Sequence, residues 1–152
     1  MNENRIQQVE RLNEAMARLI VMMQEIDDTC VRLSEDISKK ELLIVQFVGA
    51  NGKVIMKDIA DYMKIPVSTT TGIVDRLVHK KYLQRIFSEH DRRSISIVLD
   101  SLGERTDELM TKMKTAMANR ILDDLQNEEA NHFIGLLEKV TGNLHKFAPE
   151  EV

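Results

Sequence analysis

Ser68, Thr69, Gly72, Asp75, Arg76 and His79 recur at three- and four-residue steps. A helix would place them on one face. They are short hydroxyl donors and acceptors followed by a guanidinium, which suits base edges and phosphates in a major groove. Thr70, Ile73, Val74, Leu77 and Val78 interleave them and can point inward. A second constellation follows at once. Arg85 precedes a polar run, Ser88–Ser94, that holds Asp91, Arg92 and Arg93. In extended chain, residues two apart point the same way, so Asp91 can orient the Arg93 guanidinium. An arginine held on a narrow hairpin can enter a minor groove and read its width and potential. The bland alternative is a surface ion pair worth about 0–1 kcal/mol. Its place directly after a two-faced helix favours the nucleic-acid reading.

Charge supports the same segment. The chain has a formal net charge of −4, from 21 Lys/Arg and 25 Asp/Glu. Residues 53–99 hold nine of the Lys/Arg and five of the Asp/Glu, a local +4, which leaves −8 elsewhere. A DNA surface needs a basic patch and not a basic protein, because only nearby cations displace counterions from phosphate.

The elements that must position these residues can be read from hydrophobic spacing. Ile6, Val9, Leu12, Met16, Leu19, Ile20, Met23, Ile26 and Cys30 mark one face of a long helix over about 5–33. Ser38 and Glu41 form a capping box that opens a second helix, Lys39 to Ala50. It is apolar nearly all round and should be buried. Asn51-Gly52 ends it, and Val54-Ile55 reads as a very short strand. A third helix, Lys57 to Lys64, turns inward on Ile59, Ala60 and Met63; small Ala60 permits a close crossing with the next helix. That fourth helix, about Ser68 to Lys80, carries the first constellation. Tyr82–Phe87 and Ile95–Leu99 bracket the polar run as a β-hairpin. From Leu102 a helical period resumes, and Asn127 with two following Glu starts a last helix.

The expected fold is mainly α with a small β-hairpin wing. Residues 1–37 and 101–152 supply dimerisation helices around a winged helix-turn-helix region at 38–100. The flanking helices carry longer apolar faces than so small a centre can cover, which points to a C₂ homodimer.

The segments IADYMKIPVSTTTGIVDRLVHKKYLQR (Ile59–Arg85) and HDRRSISIVLDSLGE (His90–Glu104) resemble the MarR family of winged-helix regulators. The resemblance extends to the layout of the whole chain. It implies a dimer on a pseudo-palindromic operator in double-stranded DNA. Ser68, Thr69, Thr70, Thr71 and Arg76 would then face the major groove. Asp91 and Arg93 would serve the minor groove beside Arg92, with Arg85 supporting the wing or a phosphate. It also implies control by a small-molecule effector or an oxidant, among which the sequence does not choose. Four positions depart from the family pattern. Lys64 and Lys81 stand where glycine is usual, Pro66 replaces a capping Ser, and Gly72 replaces a long polar side chain.

Other functions find little support. There is no Gly-rich phosphate loop and no nucleophile motif, so no enzyme and no cofactor is expected. Cys30, the sole cysteine, ends an apolar stripe and reads as a structural thiol before a redox sensor. His79, His90, His132 and His145 lack metal-ligand spacing. Met110, Met113 and Met117 read as dimer core before ligand pocket. No apolar run could span a bilayer, and MNENRIQQVE has no signal-peptide core. A cytoplasmic transcriptional regulator, a repressor, is the reading reached. The alternative is a winged-helix interaction module without operator binding, against which Arg76, Arg85, Arg92 and Arg93 argue.

Overall fold

A computed structural model describes residues 3–87 and 95–144. Their elements run α1 (Glu3–Leu33), α2 (Lys39–Asn51), α3 (Met56–Met63), α4 (Val67–His79), β1 (Leu83–Phe87), β2 (Ile95–Leu99), α5 (Ser101–Asp123) and α6 (Asn127–Leu144). The expected order of helices and hairpin is thus observed. The chain divides into two compact units, Met1–Met113 and Lys114–Val152.

The first unit is built around α2. Its capping box forms as the sequence predicts. The Ser38 hydroxyl accepts from the Glu41 N–H at 3.3 Å, and the Glu41 carboxylate accepts from the Ser38 N–H at 3.0 Å. Leu42, Ile44, Val45 and Val48 are buried, while Leu43 faces outward. The helix is therefore not covered all round, as its apolar composition had suggested. Gly52 ends it with φ of 70°, a conformation that costs glycine little.

β1 and β2 pair antiparallel, with Leu83 opposite Leu99 and Phe87 opposite Ile95. Val54 joins their edge through one reciprocal pair of bonds with Ile97, at 3.1 and 2.7 Å. The expected short strand is thus a single residue long. Ile55 instead precedes α3, and its N–H donates to the Asp58 carboxylate at 2.9 Å. Tyr82, Leu83 and Ile97 from the hairpin join Leu77, Ile59 and Leu42 in the core.

α5 begins against the hairpin. The Asp100 and Leu102 N–H groups donate to the Tyr82 and Lys81 carbonyls, each at 3.0 Å. Gly103 makes this approach sterically feasible, since a Cβ there would lie 2.0 Å from the Tyr82 oxygen. Met110 and Met113 then pack on Cys30 of α1. This corrects the reading of Met110 as dimer core, because it is buried within its own chain.

Much of α1 lies outside that core. Of the predicted face, Ile6, Val9, Leu12, Met16, Leu19, Ile20 and Met23 are exposed, Leu12 by 59%, while Ile26 is partly buried and Cys30 fully so. In the second unit, Glu129 accepts from the Gln126 N–H at 3.0 Å and caps α6. Ile134, Leu136, Leu137 and Val140 on that helix are also exposed. No helix among the described residues is long and apolar enough to cross a membrane.

Candidate nucleic-acid interface

α3 and α4 meet through a tight turn. Ala60 is buried, and the two helices contact each other. Lys64 ends α3 with φ of 52°, and the Ile65 N–H reaches back to the Ala60 carbonyl at 3.2 Å. Lys81, before the hairpin, has φ of 64°. Both lysines therefore hold left-handed backbone, which explains why glycine would suit these two positions. Pro66 is itself the N-cap residue, so α4 starts at Val67, one residue earlier than expected. Proline offers no side-chain cap, and no acid lies in the first turn. The leading N–H groups of α4 thus carry the positive end of the helix dipole with no acid of their own first turn to offset it.

Ser68, Thr69, Gly72, Asp75, Arg76 and His79 are all exposed, and they share one face. Thr70 does not belong with them, although it was expected among the DNA contacts. It is 0% exposed, and its hydroxyl donates to the Pro66 carbonyl at 3.1 Å. The helical period turns it into the core with Ile73, Val74 and Leu77. Thr71 is half-buried, and its hydroxyl donates to the Val67 carbonyl at 2.8 Å. Of the three α4 threonines, Thr69 is the exposed one.

Two ion-pair systems hold this face in place, and neither was foreseen. Glu41 is nearly buried, yet its carboxylate lies 3.5 Å from Lys80 Nζ and 3.6 Å from Arg76 Nε. Lys80 also donates to the Asp36 carbonyl at 2.6 Å. Burial pushes the Glu41 carboxyl up, but the Ser38 hydrogen bonds and the Lys80 ammonium outweigh it and hold the group below its ordinary 4.5. Arg76 keeps 60% of its side chain in solvent, so it is steadied at Nε and still presents its charge outward. In the second system Arg85 Nη2 lies 2.5 Å from Asp75 Oδ1. This joins β1 to α4 and sets the hairpin against the helix. The sequence marked Glu41 only as half of a cap; its tertiary partners lie 35 and 39 positions away and leave no local signal.

Asp91, Arg92 and Arg93, with His90 and His145, fall outside the described residues. Ile86, Phe87 and Ile95 mark the outer end of the described hairpin and are exposed.

Beneath the hairpin, Leu33, Ser34, Tyr82, Leu102, Arg105 and Thr106 line a cavity of about 200 Å³. The Tyr82 hydroxyl at its wall donates to the Glu35 carbonyl at 2.6 Å. Burial raises the Tyr82 phenol above its ordinary value, so it stays protonated. Cys30 is fully buried, with its sulfur 3.7 and 3.4 Å from those of Met110 and Met113. Its thiol is thus closed off from solvent in this conformation. Among the described residues, no group of three or more His, Cys, Asp or Glu could hold a metal ion.

Comparison with known proteins gives a consistent picture. A family model described as the MarR family matches residues 35–94. The uncharacterised HTH-type transcriptional regulator YfiV of Bacillus subtilis is 28% identical over 99 residues, 65% of this chain. The chain spans 62% of that protein's length, less than two thirds. The HTH-type transcriptional repressor MdtR of the same organism is 26% identical, over 78% of this chain and 77% of MdtR. Among solved structures, Streptococcus pneumoniae FabT in complex with DNA superposes with a TM-score of 0.73. It is 27% identical and covers 91% of this chain and 96% of its own.

Proposed function

We propose that the chain is a MarR-type winged-helix regulator, the family model of which matches residues 35–94, and that it is a sequence-specific transcriptional repressor acting on double-stranded DNA. The observation that carries this reading is the exposed face of α4, where Ser68, Thr69, Gly72 and Arg76 lie clear of the core beside an Arg85-anchored hairpin. Side chains of this kind supply both hydroxyls for base edges and a guanidinium for guanine or phosphate. The uncapped start of α4 favours a phosphate oxygen in the same place. Asp91, Arg92 and Arg93 of the wing, with Arg93 in the minor groove, extend the contact to flanking sequence. FabT was solved on DNA, and MdtR is a repressor; both likenesses support the reading.

The active form is a homodimer. The exposed apolar stripes of α1 and of α6 are the surfaces that a second copy would cover. Two recognition helices related by a two-fold axis read a pseudo-palindrome with half-sites about one helical turn apart. The cavity lined by Tyr82 and Arg105 is the place for a small effector, its arginine suited to an anionic group. Closing or filling it would shift the hairpin relative to α5 and release DNA.

Selection of bound fragments from genomic DNA tests the reading. An enriched palindrome, lost when one candidate effector is added, is the expected result. Absence of enrichment under all conditions would leave the interaction-module alternative in its place.

A further inference from the structure

Nothing among the described residues calls for a glycine at position 72. Gly72 lies exposed in the middle of α4, with Ser68 and Thr69 a turn before it and Asp75 and Arg76 a turn after it on the same face. A Cβ added there would meet nothing within 4 Å. Its φ is not positive, so the backbone would accept any residue but proline. A glycine in a helix interior is disfavoured relative to alanine by maximal loss of backbone freedom. Gly103 is different, because a Cβ there would strike the Tyr82 carbonyl. The fold uses Gly103 and has no use for Gly72.

We propose that Gly72 is a specificity-determining residue: its bare Cα is the point of closest approach to the major groove, and it packs against a thymine methyl group. The proposal rests on the DNA-binding reading above. In a helix interior the backbone N–H and C=O groups are bonded to neighbouring turns. Gly72 therefore has no hydrogen bond to offer a base and can contribute only van der Waals contact. The groups lining a major groove are donors, acceptors and the thymine C5-methyl. Only the methyl gains from contact with a bare carbon. Short Ser68 and Thr69 on one side allow the backbone to come that close. Asp75 on the other side is drawn aside by its ion pair with Arg85.

The test compares the full-length wild-type chain with Gly72→Ala on the duplex recovered by genomic selection and on a scrambled duplex of equal length. The alanine chain should melt roughly 1–4 °C higher, since it gains helix propensity and no clash. It should bind the recovered duplex about tenfold more weakly and the scrambled duplex unchanged. Replacing thymines one at a time by deoxyuridine removes only the methyl. At one position per half-site this should weaken the wild type and leave Gly72→Ala with no further loss. The proposal is overturned if Gly72→Ala binds the recovered duplex as tightly as the wild type, or if no single deoxyuridine distinguishes the two chains. A wild-type chain that binds no duplex at all would instead overturn the DNA-binding reading, and the proposal with it.

Discussion

A nearly buried carboxylate, Glu41, ties together the residues assigned to opposite ends of the account. It caps α2 through Ser38 and pairs with Arg76 of α4, the proposed recognition helix, and with Lys80 just after it. Glu41→Ala should therefore cost about 1–3 kcal/mol of stability, since a cap and buried ionic hydrogen bonds go together. Chemical denaturation at neutral pH checks this. The pH dependence has a fixed sign. The folded state holds the Glu41 carboxyl below its ordinary 4.5, so its contribution is present above that pH and fades as pH falls through the folded value. The stability gap between wild type and Glu41→Gln should accordingly narrow in acid. A gap that widens in acid would show that the carboxylate is not favoured in the fold. Among the threonines, Thr69→Ala should alter base preference in competition between variant duplexes. Thr71→Ala should do so far less, because the Thr71 hydroxyl is engaged by the Val67 carbonyl. Equal loss on all sequences for Thr69→Ala would make that residue a phosphate contact only.

At the scale of elements, strained and close-packed joints position α4 and the hairpin. Lys64 adopts φ of 52° where a side chain is disfavoured. Lys64→Gly should stabilise the chain by about 0.5–1 kcal/mol, read by thermal melting. Gly103→Ala should do the opposite by about 1–3 kcal/mol, because the obstacle is the Tyr82 backbone carbonyl and not a flexible side chain. These joints also show what a single sequence can reveal. The helix order, the Ser38–Glu41 cap and the inward turn of Ala60 are local patterns of period and residue size, so they were legible. The departures at Lys64 and Lys81 pointed to two of the positions where the backbone takes a positive φ. The family resemblance implies a DNA contact at Thr70, whereas the helical period, which turns each successive side chain by about 100°, puts it in the core. The Glu41–Arg76 and Asp75–Arg85 pairs bridge separate elements, and only tertiary structure brings them together.

At the scale of the molecule, one chain leaves too much apolar surface uncovered. The α1 stripe from Ile6 to Met23 is exposed along its length. Patches of this extent on a soluble protein mark association surfaces. Replacing Leu12 and Met16 together by glutamate should shift the chain toward monomer in sedimentation velocity, with helix content unchanged. A stable wild-type monomer at micromolar concentration would remove the dimer from the account. DNA affinity should fall with the dimer, since each half-site alone offers only one recognition helix and one wing.

The central claim, that the α4 face and the hairpin of a symmetric dimer grip DNA, is tested most directly by hydroxyl-radical footprinting on the recovered duplex. The account predicts two equivalent protected patches related by a dyad and centred about 10 base pairs apart. The flanking minor-groove protection should be lost with Arg93→Ala. A single unrepeated patch, or protection indifferent to both Arg93→Ala and Thr69→Ala, would contradict it.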